Sequence, residues 1–174
     1  AERGAAVLLV DLDPQASLSW ACGVDPEALD LSVHDVLLNR AKAVEVILEL
    51  DPPQPAEGHG VGVLHLLPST IDLAGAELHL LTKTGREYVL RKALSKVATT
   101  YDHVLIDCPP SLGILTINGL TAADEVLIPL QCESLSQRGV GQLLDTIDDV
   151  RDYTNPDLAV RGAIATMFDS RTKL

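Results

Sequence analysis

Three aspartates stand where apolar runs of the chain end. The run Ala5–Val10 closes on Asp11, and Asp13 follows two positions later within DLDPQ. A second run, HVLI, closes on Asp107 and leads into Cys108-Pro109-Pro110-Ser111. In an extended backbone Asp11 and Asp13 point to the same side, and the two prolines withhold further ladder donors and turn the chain after Asp107. Carboxylates converging in a crevice suit a hard divalent cation such as Mg²⁺, which takes one or two carboxylates together with water and substrate phosphates. Each aspartate taken singly also fits an ordinary turn or helix cap. The combination of both segments points to chemistry.

Other side chains offer less. Cys22, Cys108 and Cys132 are far apart, with no C-x-x-C pair, which excludes a disulfide framework and any familiar zinc spacing and suits a reducing compartment. His34, His59, His65, His79 and His103 form no metal-binding cluster and read as surface or loosely packed residues. Cys108 is expected to be an inert, apolar thiol. Trp20, the single tryptophan, is expected to pack against a helix, and the acidic run Asp145–Asp152 reads as a solvated face.

The elements that must position the aspartates are legible as alternating strands and helices. Strands are expected at Ala5–Asp11, Val63–Leu67, His103–Asp107, Val126–Leu130 and Val160–Thr166, the apolar runs being continuous as in strands covered on both faces. Helical spacing marks Val33–Leu38, with Ser32 as N-cap, then Leu73–Leu81, Val89–Val97 and Val140–Val150, the last preceded by Ser134 and Gln137 at capping-box spacing. Asp51–Gly62 is a Pro/Gly-rich loop. Such alternation implies an α/β fold, a doubly wound and mostly parallel sheet with helices on both faces and right-handed crossovers. Ligands of that architecture bind at the carboxyl ends of strands.

Composition narrows the partners. Among 174 residues, 13 Lys and Arg face 25 Asp and Glu, a net charge of −12, which argues against phosphate-backbone binding by this segment as a whole. The 47% apolar content excludes intrinsic disorder. No apolar run approaches the ~18 residues of a membrane helix, and none resembles a signal-peptide core.

VLLVDLDPQAS (Val7–Ser17) resembles the second conserved block of ParA/Soj-type partition ATPases, within the MinD/ParA superfamily of deviant Walker P-loop ATPases. YDHVLIDCPPSLGILTINGL (Tyr101–Leu120) is similar to their Walker B segment and the switch that follows. Asp124–Ile147 and the MFDSRT at Met167–Thr172 resemble later blocks, in order; Ser136–Gly141 and MFDSRT favour the partition branch over the MinD branch. The resemblance implies a nucleotide-binding hydrolase for chromosome or plasmid segregation. Asp13 would be its catalytic residue, orienting the water that attacks the γ-phosphate. Asp11 would be the companion acidic residue of the cofactor site, and Asp107 would hold Mg²⁺ through a water. The same resemblance implies ATP and Mg²⁺ as cofactors, an ATP-dependent homodimer, a ParB-type stimulating partner, nonspecific duplex DNA, and a cytoplasmic, nucleoid-associated location without a membrane.

One family element is absent. No Gly-Lys-[Ser/Thr] occurs, although a K-G-G-V-G-K-T-T-like loop precedes the first block in the family. Residues 1–174 are therefore expected to be a single α/β domain, an internal fragment of a longer ATPase domain whose phosphate loop and C-terminal part lie outside it. The loop's strand would sit beside the Walker B strand, so its absence is expected to leave two strand edges open. Two alternatives share the fold: a nucleotide-free, degenerate interaction module, and a MinD-type division-site ATPase. A phosphorylated receiver domain also opens on a strand ending in acidic residues, but the 96 positions between Asp11 and Asp107 are about twice what a compact receiver allows.

Overall fold

The computed structural model describes residues 1–52, 54, 57–58, 60–131 and 137–167. Ser134, Ser136, Cys132, His59 and residues 168–172 of the MFDSRT block lie outside the described residues. The chain divides into two compact units, Ala1–Gly119 and Leu120–Leu174. Each is a mixed α/β unit with its own sheet, and parallel pairs dominate, as the sequence implies.

In the first unit, four strands lie side by side in the order β2 (Leu48–Leu50), β3 (Val63–Leu67), β1 (Ala6–Asp11), β4 (His103–Asp107). β1 pairs in parallel with both β3 and β4, and β2 runs antiparallel to β3 at the edge. β1 is central, and its Val7, Leu8 and Val10 are buried, so its continuous apolar run has cover on both faces. β4 departs from that expectation. It alternates, with Leu105 54% exposed, so one of its faces lacks cover among the described residues; it also has β1 as its only strand neighbour there.

Helices α1 (Ser17–Ala21), α2 (Val33–Leu37), α3 (Ala43–Val46), α4 (Leu73–Leu81) and α5 (Val89–Leu94) belong to the same unit. The Ser32 cap of α2 is present: Ser32 Oγ accepts from the His34 amide at 3.2 Å, and Asp35 Oδ2 accepts from the Ser32 amide at 3.1 Å. Val33, Val36 and Leu37 of α2, Leu73, Ala76 and Leu80 of α4, and Leu90 and Leu94 of α5 are buried at helical spacing and form much of the core. Trp20 differs from expectation. It is 55% exposed, since α1 is five residues long and turns its buried side on Ser19 instead.

Helix α6 (Ile114–Ala122) begins in the first unit and ends in the second, which also holds β5 (Glu125–Gln131), α7 (Gln137–Tyr153) and β6 (Ala159–Thr166). β5 and β6 pair in parallel with a bulge between Val126 and Leu127. Asn155 closes this unit by donating through Nδ2 to the carbonyls of Leu120 (3.0 Å) and Ala123 (2.7 Å). β6 is largely exposed, unlike the strand covered on both faces that its sequence implies, since little among the described residues covers either of its faces; β5 is its only strand neighbour there. No helix of the described residues is long and apolar enough to cross a membrane.

Candidate nucleotide and metal site

Register brings the sequence-predicted carboxylates together. Asp11 and Asp107 are direct partners across the parallel β1–β4 pair, each the last residue of its strand. Side chains at matched positions of neighbouring strands share a face, and strands lie about 4.8 Å apart. The pairing continues one step further, where the Leu12 amide donates to the Asp107 carbonyl at 2.8 Å. Asp13 then leaves the sheet. Its amide donates to Asp11 Oδ1 (3.1 Å), and its own Oδ1 accepts from the Gln15 amide (2.9 Å).

Asp11 and Asp107 sit at the same level but in opposite environments. Asp11 is completely buried and meets donors on both oxygens: the Asp13 amide on Oδ1, and the Ser19 amide (2.9 Å) and Ser19 hydroxyl (2.8 Å) on Oδ2. A buried carboxylate is tolerable when so satisfied. The Ser19 amide is one of the free donors of the first turn of α1, whose N-cap residue Ala16 supplies no side-chain cap. Asp11 thus caps α1 from a neighbouring strand. Ala16 itself adopts a left-handed conformation (φ 53°), which costs a residue with a Cβ roughly 1 kcal/mol.

Asp107 opens toward solvent, and its carboxylate has no hydrogen-bond donor among the described residues. Its pKa is raised, first by desolvation at the strand end and then by the like charges of Asp11 and Asp13. A carboxylate that lacks donors and is repelled by two others suits a cation, so the donor chemistry fits Mg²⁺. Among the described residues no group of three or more Asp, Glu, His or Cys is placed so as to hold a metal ion by itself.

The turn after Asp107 is pinned. Thr116 Oγ1 donates to the Ser111 carbonyl at 2.6 Å, tying the turn to the first turn of α6. Asn118 is fully buried; its Oδ1 accepts from the Leu90 amide (3.1 Å), and its Nδ2 donates to the carbonyls of Arg86 and Ile114 (2.9 Å each). Gly119 faces Cys108, and a Cβ there would come within 2.6 Å of the Cys108 Sγ. Burial, aided by the Asp107 charge, pushes the Cys108 thiol up to about 12, so it stays protonated at neutral pH and inert, in line with its apolar reading. Sequence reasoning missed Ser19 and Ser69, whose amide donates to Ser19 Oγ at 3.0 Å. No spacing rule links a strand-end aspartate to a serine eight residues on.

The repulsion at Asp107 has a measurable consequence. Because its folded-state pKa lies above the ordinary carboxylate value, ionising it costs stability, and the cost sets in as pH rises through and above the usual carboxylate range. Without divalent cation, Asp107→Asn is expected to melt at a higher temperature than the parent at pH 7, with the gap narrowing toward pH 4. Thermal melts in chelator across that range check this; an equal or lower midpoint at pH 7 would contradict it.

A family model described as an AAA domain matches residues 1–160. The chain is 42% identical over 171 residues to the sporulation initiation inhibitor protein Soj of Bacillus subtilis, an alignment covering 98% of this chain and 64% of Soj. It is 44% identical over 167 residues to the chromosome partitioning protein ParA of Myxococcus xanthus, covering 96% and 56% of the two chains. Among solved structures, cobyrinic acid a,c-diamide synthase from Mycobacterium smegmatis superposes with a TM-score of 0.89 at 53% identity, over 98% of this chain and 66% of that one, and has also been solved with ADP and magnesium. The chain thus spans from about half to two thirds of the length of such relatives. With that match over most of its length, and with the DLDPQ and HVLID carboxylates in register, the chain belongs to this AAA-domain family, which it shares with its ParA- and Soj-type relatives.

Proposed function

We propose that the whole protein is a ParA-type ATPase of DNA partitioning, and that this segment supplies the carboxylate side of its Mg²⁺-ATP site. The observation that carries the reading is the in-register pair Asp11 and Asp107, with Asp13 held by Asp11 at the carboxyl end of a parallel sheet. Asp13 orients the attacking water through its free Oδ2, and Asp107 holds the hydrated Mg²⁺. Asp11 is the companion that fixes the backbone of Asp13. Bound Mg²⁺ neutralises the charge that develops on the phosphates, and positioning with charge neutralisation makes up most of phosphoryl-transfer catalysis. The lysines and backbone amides that cradle the triphosphate come from the rest of the protein, as do the basic residues that contact DNA.

In this reading ATP drives homodimerisation in the cytoplasm. The dimer binds duplex DNA of the nucleoid without sequence preference, and a ParB-type partner stimulates hydrolysis. The test is a gel shift on the whole protein between about 50 and 200 mM salt, since affinity for a phosphate backbone falls steeply as counterions compete. Binding is expected only with ATP and with steep salt dependence. Salt-insensitive, nucleotide-independent binding would overturn the reading.

A second reading follows from the 53% identical neighbour, whose name denotes amide formation on cobyrinic acid. The same carboxylates would serve Mg²⁺-ATP there. ATP consumption that depends on cobyrinic acid and ignores DNA would favour it.

A further inference from the structure

Asp11 is completely buried and both its oxygens already accept hydrogen bonds, so what it contributes to phosphoryl transfer is taken to reach the site through Asp13. The side chain that fixes Asp11 is Ser19. Its hydroxyl is completely buried, donates to Asp11 Oδ2 at 2.8 Å, and accepts from the Ser69 amide at 3.0 Å. One hydroxyl thereby joins the end of β1, the first turn of α1 and the segment after β3. Ser69, also fully buried, leaves its own Oγ without a partner among the described residues, so its link to the cluster is the backbone alone.

We propose that Ser19 is a positioning residue for Asp13, acting through Asp11. This rests on the ATPase reading above. Asp13 sits on a loop held at both ends, by its amide on Asp11 Oδ1 and, through Ala16 in its left-handed conformation, by the start of α1. Without the Ser19 hydroxyl, Asp11 loses one of its three donors and the Ser69 amide loses its acceptor. A buried carboxylate short of a donor turns to find another, and turning releases the Asp13 amide. The loop then relaxes from its left-handed bend. A shift of about 1 Å in a reacting group can cost about 10²-fold in rate, because the near-attack geometry is lost while substrate contacts elsewhere persist.

The test uses the whole protein. Ser19→Ala is expected to lower kcat for ATP by about 10-fold or more with KM within about twofold, and Ser19→Thr, which keeps the hydroxyl, to restore most of kcat. Asp11→Asn combined with Ser19→Ala should cost little more than the worse single change, since the two act in series. Amide hydrogen exchange gives a readout independent of turnover: the Asp13 and Ser19 amides should exchange at least about 10-fold faster in Ser19→Ala, with the amides of Leu8 and Val10 unchanged. Wild-type kcat in Ser19→Ala, a loss of kcat that Ser19→Thr does not restore, or unaltered exchange at Asp13 would each overturn the proposal. If the wild-type protein itself fails to turn over ATP, the ATPase reading falls, and the exchange rates alone decide whether Ser19 holds Asp13.

Discussion

Asp13→Ala in the whole protein is expected to lower ATP turnover by about 10²-fold or more while ATP binding stays within a few-fold. The division follows from what each carboxylate touches. Asp13 has one oxygen occupied by the Gln15 amide and the other without a partner among the described residues. It can align a water, and it carries no part of the fold through that free oxygen. In the proposed ATPase, nucleotide affinity would depend instead on Mg²⁺ at Asp107 and on groups outside this segment. Single-turnover kinetics beside a binding isotherm separate the two. Unchanged turnover would remove Asp13 from the catalytic role, and a parallel collapse of ATP affinity would move it to the binding role.

The largest effect on stability is expected at a residue without chemistry. Asn118→Ala removes three hydrogen bonds and strands the buried Leu90 amide and the half-buried Arg86 carbonyl. Each buried backbone group left without a partner costs about 1–3 kcal/mol, so the total is on the order of 3 kcal/mol or more. At about 2–4 °C per kcal/mol for a chain of this size, the melting midpoint should fall by roughly 10 °C. Calorimetry on the parent and the variant checks this, and a drop under about 2 °C would show that other groups take over the contacts.

The strand ends that carry the carboxylates were legible because the fold class dictates them. Val63–Leu67, Leu73–Leu81 and His103–Asp107 coincide with their observed bounds, and Ser32 caps α2 by a local rule that sequence alone can state. What escaped depends on contacts made at a distance. β2 is three residues, Leu48–Leu50, and exists only by its antiparallel pairing with β3. α1 has five residues and no local cap, and it forms where a strand-end aspartate reaches its first turn. α6 follows two prolines and is rich in β-branched Ile114, Thr116, Ile117 and Thr121, so its propensity is low. Its anchor Asn118 bonds to residues 28 and 32 positions earlier, a separation no periodicity reveals. The misjudged exposure of Trp20 has the same origin, since α1 turns on Ser19 and not on its tryptophan.

The reach of Asp11 into α1 also bears on how the chain acquires its structure. A five-residue helix is far below the length at which helices persist alone in water, so α1 has no independent existence during folding. It can appear only after β1 has found both neighbours and delivered its terminal carboxylate. Once formed, helix and strand end open together, because freeing either exposes a buried charge to a half-made environment. The segment from Asp11 to Ala21 therefore behaves as one cooperative block, made late and released whole.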